Sequence, residues 1–114
     1  MNDISSFSVK NTKQIIHHLT LLLKSRCLLN ARFGANSEFY ITTLLGIDGK
    51  NNAVILDSGS KEDLNQRLLN AGKVAFDADY NGIKVSFAGT ELKQITHNGE
   101  LAFSMPIPKS LYWM

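Results

Sequence analysis

Lys73-Val74-Ala75-Phe76-Asp77-Ala78-Asp79-Tyr80-Asn81-Gly82-Ile83-Lys84-Val85-Ser86-Phe87 is the stretch that decides the fold. Val74, Phe76, Ala78 and Tyr80 alternate with charged or small residues, the period-2 pattern of a half-buried strand. Asn81-Gly82 follows, a pair suited to the two successive positive φ angles of a type I′ turn. Ile83, Val85 and Phe87 resume the alternation on the returning strand. Asp77 and Asp79 share the other face, with Lys84 and Ser86 opposite them, as on a solvated, charge-paired sheet surface.

Working outward, the same punctuation recurs. Leu28 to Phe33 reads as a short strand and Gly34 to Ser37 as a turn. Glu38 to Ile47 reads as a long strand with Phe39, Ile41, Thr43, Leu45 and Ile47 on one face. Asp48 to Asn52 is a turn, and Ala53 to Leu56 a third short strand. Thr90 to Gly99 is ambiguous: Leu92 and Ile95 suggest one helical turn and Asn98-Gly99 a reversal. Leu101 to Ile107 is a last strand, which Pro106 and Pro108 demote towards an edge or exit.

Two helices interrupt the strands. Asn11 caps the first, and Gln14 completes a capping-box pattern. Ile15, Ile16, Leu19, Leu22 and Leu23 form its apolar stripe, and it should end near Ser25 or Arg26. The second is short, capped by Ser60, with Glu62 and Asp63 in its first turn, Leu64, Leu68 and Ala71 on one stripe, and Gly72 as its stop. Residues 1–10, rich in Asn and Ser, read as a flexible N-terminal arm. The expected fold is mainly β (α+β): a small split-barrel-like antiparallel sheet of about six strands, with one N-terminal helix and one short helix.

The 114 residues suit one domain, and 44% hydrophobic content suffices for a core. A net charge of +2 is too balanced for a nucleic-acid or membrane-surface binder. One cysteine, Cys27, excludes an internal disulfide and fits a reducing compartment. No apolar run approaches the length of a membrane span, and Met1 to Lys10 lacks a signal-peptide core.

Candidate chemistry is sparse. His17 and His18 are adjacent on a helix and point about 100° apart, whereas metal-ligand pairs prefer i, i+4 spacing. Cys27 has Arg26 beside it in sequence, but no family-type cysteine signature surrounds it, and it reads as buried and structural. Phosphate-cradling glycine motifs are missing. Arg26, Arg32 and Arg67 are the only arginines and are scattered. The sequence offers no catalytic residues, no metal ligands and no cofactor-binding residues within this chain. The tail is the oddity: Pro106-x-Pro108-x-x-Leu111-Tyr112-Trp113-Met114 is apolar and holds the only tryptophan. Either Trp113 folds back onto this domain, or the segment begins a linker and its aromatics face a junction.

Taken in order, several segments resemble a known family. They are Gln14 to Leu19, Leu44 to Ile47, Ala53 to Ser60, Ala78 to Phe87, and Leu101 to Phe103 continuing through Pro106, Pro108, Leu111, Tyr112 and Trp113. Together they are similar to the N-terminal domain of the bacterial flagellar brake protein YcgR family, which precedes a PilZ domain. The resemblance runs from about Phe7 to the end. It implies a non-catalytic regulatory domain at residues 11–108, with 109–114 as the start of a linker to an absent PilZ domain, so that the chain would be an excised or truncated piece. It implies that Leu111, Tyr112 and Trp113 lie at the interdomain junction.

In the family, cyclic di-GMP binds mainly to the PilZ domain, through an R-x-x-x-R stretch and a [DN]-x-S-x-x-G loop. Neither is present here, so the expectation is no cofactor on this chain alone and cyclic di-GMP on the full-length protein. Paired guanidinium forks suit phosphates and guanine edges. The implied partners are the PilZ domain in cis and flagellar motor stator or rotor proteins, with no DNA and no membrane insertion. The implied location is the bacterial cytoplasm at the flagellar basal body, and the implied process is control of motility. The alternative is a flavin-nucleotide-binding split-barrel oxidoreductase, on fold analogy. It would need a phosphate site with several basic or hydroxyl donors. A third reading is a scaffold that oligomerises through strands near the exit segment.

Overall fold

In the computed structural model, residues 8–34, 38–58 and 62–114 are described. The elements run β1 (Ser8–Val9), α1 (Thr12–Lys24), β2 (Leu28–Phe33), β3 (Glu38–Asp48), β4 (Ala53–Asp57), α2 (Glu62–Asn70), β5 (Lys73–Tyr80), β6 (Ile83–Thr90), β7 (Lys93–His97), β8 (Glu100–Pro106) and β9 (Leu111–Trp113). All strand pairings are antiparallel, in the order β1-β9-β6-β5-β2-β3-β4-β8-β7.

The hairpin that anchors the sequence reading forms as expected. Lys73 to Tyr80 pairs residue for residue with Ile83 to Thr90. Asn81 and Gly82 take φ of 51° and 87°, the left-handed pair of a type I′ turn. The Gly82 N–H donates to Asp79 Oδ1 at 2.9 Å, which fixes the turn from within. Val74, Phe76, Val85 and Phe87 point inward, and the Phe76 and Phe87 rings stack at 5.0 Å.

β3 is the strand that curls the sheet and joins its two parts. Its first half pairs with β2 and its second half with β4, with a β-bulge between Leu44 and Gly46. A bulge adds one unpaired residue, bends the strand and reverses which face later residues occupy. This corrects the reading of Phe39, Ile41, Thr43, Leu45 and Ile47 as one face. Before the bulge Tyr40, Thr42 and Leu44 are buried, while Phe39 and Ile41 are 61% and 54% exposed. After it, Ile47 turns in and packs against the core.

The curl brings β6 against β8 at Gly89. A Cβ there would sit 3.1 Å from Phe76 Cε2 and inside the buried Met105 thioether. The absent side chain is what lets the two strands approach.

α1 buries Ile15, Leu19 and Leu22, the i, i+4, i+7 stripe. Asn11 caps it through its Oδ1, which accepts from the Gln14 N–H at 3.2 Å. At the other end the Cys27 N–H donates to Leu22 O and the Arg26 N–H to Leu23 O, a Schellman closure. Arg26 holds the left-handed position at φ 54°, where glycine is customary. In α2, Leu68 is buried and Arg67 pairs with Asp63 at 2.7 Å and with Glu38 at 2.8 Å.

Four further expectations are revised. The strands number nine among the described residues, against about six. The additional ones are β1, β7 and β9. Two or three residues of edge pairing leave almost no periodic signal, and a short exposed strand such as β7 reads like a turn. The expected helical turn within Thr90 to Gly99 is instead β7. β8 is internal rather than an edge, lying between β4 and β7, because Pro106 is its last residue and leaves the earlier amide pairings intact. Of the expected 1–10 arm, Ser8 and Val9 pair with Tyr112 and Leu111. Residues 1–7, the turn residues 35–37 and the Ser60 cap lie outside the described residues.

Candidate functional site

The three junction candidates, Leu111, Tyr112 and Trp113, form β9, held between β1 and β6. Strand alternation sends them to opposite sides. Leu111 is fully buried in the core. Trp113 also turns inward, where its ring meets His18 edge-on at 4.6 Å and Tyr80 at 5.3 Å. Trp113 thus folds back onto this domain and ties α1 to the β5–β6 hairpin. Tyr112 faces outward, between Ser8 and Ser86. The chain then continues along β6 to Met114, whose N–H and C=O both bond Lys84 at 2.9 Å.

His18 is positioned for this contact by its own helix. Its Nδ1 lies 2.6 Å from the Gln14 carbonyl oxygen, an acceptor only, so Nδ1 carries the proton and donates. That bond fixes the ring plane against Trp113. His17 sits edge-on to His18 at 5.6 Å, and no group of three metal-ligating side chains occurs among the described residues.

Cys27 is half-buried, and its thiol reaches the Asp79 carbonyl oxygen at 3.5 Å. Burial pushes its pKa up, and the nearby Asp79 carboxylate pushes the same way. A thiol held protonated in this manner is a poor nucleophile at neutral pH.

The outer face of the β9-β6-β5-β2-β3 portion is the open surface next to this end. Following the register, one row across it reads Tyr112, Ser86, Asp77, Asn30, Ile41. The neighbouring row is led by Met114 and Lys84, then Asp79 and Leu28. Arg32 pairs with Asp77 at 2.7 Å and Lys84 with Asp79 at 3.2 Å, so the four charges around the groove are matched in pairs. The Asp79 carboxyl is held below its ordinary pKa, first by the Gly82 N–H and then by Lys84. Leu28, Ile41 and Met114 stand exposed around a shallow groove of about 600 Å³ that Asp77 and Lys84 also line.

Leu28 and Ile41 were not among the candidates from sequence. Ile41 was read only as part of one face of its strand, and the burial of Tyr40, Thr42 and Leu44 on the opposite face is what leaves it exposed.

Residues 7–113 match the family described as "Flagellar regulator YcgR, PilZN domain". The chain is 26% identical over 105 residues to the flagellar brake protein YcgR of Methylotenera mobilis, covering 92% of this chain and 41% of that protein. It spans less than half the length of the curated relatives it matches. The crystal structure of YcgR from Escherichia coli in complex with c-di-GMP superimposes with TM-score 0.89 at 25% identity, over 100% of this chain and 49% of that one. The crystal structure of the YcgR-N domain from Escherichia coli gives TM-score 0.86 at 26% identity, covering 96% of both chains. No helix among the described residues is long and apolar enough to cross a membrane. With fold, length and sequence agreeing across residues 7–113, the chain belongs to the PilZN domain family of the flagellar regulator YcgR.

Proposed function

We propose that this chain is the non-catalytic interaction domain of a cyclic di-GMP-responsive flagellar brake, acting through contact rather than chemistry. It forms one wall of a junction with a PilZ domain that follows in cis, and the assembled protein engages stator or rotor components of the flagellar motor in the bacterial cytoplasm, at the basal body. The nucleotide acts through its differential affinity for two arrangements of the domains. The observation that carries this reading is the likeness of this whole chain to about half of YcgR, whose Escherichia coli structure was solved with c-di-GMP. The residues fit a passive role. Arg32 and Arg67 are each engaged with carboxylates, and Arg26 occupies a helix cap. None is arranged as a paired fork for a phosphate.

Calorimetry with cyclic di-GMP tests it. Residues 1–114 should give no heat of binding, and the chain continued by its PilZ domain should bind. Micromolar binding by residues 1–114, or turnover of any substrate by them, would refute the reading.

A further inference from the structure

The outer sheet face beside Met114 carries apolar side chains that the domain itself leaves uncovered. Leu28 is 67% exposed, Ile41 54% and Met114 48%. Ile41 lies diagonally across from Leu28 on β2 and β3, and Met114 stands across the same groove from them, beyond the Lys84–Asp79 pair. Isolated exposed apolar residues need no explanation, but neighbouring ones that face another across one groove point to a contact. The flanking charges are balanced in cis, Arg32 with Asp77 and Lys84 with Asp79. The face therefore suits a neutral, apolar occupant rather than a charged one.

Met114 decides which occupant. Its backbone is bonded to Lys84 on this face. In relatives more than twice this length, the polypeptide that follows therefore leaves from the rim of the groove. A tethered segment starting there has an effective concentration near the millimolar range, which a second copy of the chain would have to exceed. By contrast, Leu111 and Trp113, the residues the linker position would nominate, point into the domain's own interior.

We propose that the face built from Leu28, Ile41 and Met114, with Tyr112 at its border, is where the domain following Met114 docks. This rests on the reading that a PilZ domain follows in cis. It moves the contact from the side chains of the linker to the sheet surface beside it.

The test is small-angle scattering of the full-length protein, with and without cyclic di-GMP, in wild-type form and as Leu28→Asp/Ile41→Asp. The more compact wild-type state should have a radius of gyration near the roughly 18 Å of a compact chain of about 250 residues. The double variant should raise it by several ångström. Ile41→Thr, which keeps the β-branched shape, should shift it the same way by less. Melting of residues 1–114 carrying the same changes reports whether the fold survives; both positions are exposed, so little change is expected.

A radius unaffected by the substitutions would overturn the docking face, even where cyclic di-GMP binding by the full-length protein upholds the underlying reading. A full-length protein that dimerises through this face, and becomes monomeric in the double variant, would assign it to a second copy and also overturn the proposal. A gene that ends at Met114 would overturn both the proposal and the reading beneath it.

Discussion

Tyr40 carries its hydroxyl into the interior, where it donates to the Asp57 carbonyl at 3.3 Å. Thr42, one inward position further along the strand, donates to the same oxygen at 2.8 Å. Burial, opposed by the Thr42 hydroxyl and reinforced by Asp57, pushes the Tyr40 phenol up to about 12. An unfolded chain releases that proton near pH 10. Between pH 10 and about 12 the folded state therefore holds more proton than the unfolded one, and stability falls as pH rises. The contribution is fully present below pH 10 and amounts to about 2–3 kcal/mol, at about 1.4 kcal/mol per unit. Tyr40→Phe should flatten the decline over that window in urea melts followed by circular dichroism. An unchanged slope would mean another group controls it. Gly89 is the other single residue on which the shape depends. Gly89→Ala should cost about 1–3 kcal/mol, since Phe76 and Met105 are both buried and neither has free space to retreat into. Chemical denaturation reads it directly.

At the scale of elements, α1 shows how closely a helix can follow its sequence. Its cap and buried stripe were legible because 3.6-residue periodicity and an Asn11–Gln14 cap are local signals. Asn11→Ala should lower stability by about 1 kcal/mol. Arg26→Gly should raise it by about 0.5–1 kcal/mol, because glycine takes the left-handed position without a Cβ penalty. Both are measurable by thermal melting, and the opposite signs separate cap effects from general damage to α1. β3 shows the limit of the same method. Both of its faces carry apolar or β-branched residues, and the bulge at Leu45 exchanges their roles partway along. Nothing local marks the position of a bulge, because it is set by the need of one strand to serve β2 and β4 in turn. β1 and β9 are legible only together: each is too short to be a strand without the other's amides.

The molecule as a whole depends on contacts between elements far apart in sequence, and Trp113 is the clearest of them. It joins β9 to α1 through His18 and to the hairpin through Tyr80. Trp113→Ala should cost about 2–4 kcal/mol, within or just below the range for large aromatics because the ring is only partly buried. It should also raise hydrogen exchange in the first turns of α1 beyond that in β4. Uniform exchange across both would show that Trp113 stabilises only globally. The candidate site divided along the same lines. Tyr112 and the exit of the chain could be placed from the tail itself, but the inward turn of Leu111 and Trp113 and the outward turn of Leu28 and Ile41 could not. By itself the sequence determined the hairpin at Asn81-Gly82, both helices and the mainly β class, since turn chemistry, caps and periodicity act over a few residues. Only the tertiary structure decided which face of β3 is buried, where β6 and β8 pack together at Gly89, and which apolar residues remain exposed. Strand parity has meaning only relative to a core, and the core exists only after distant strands have paired.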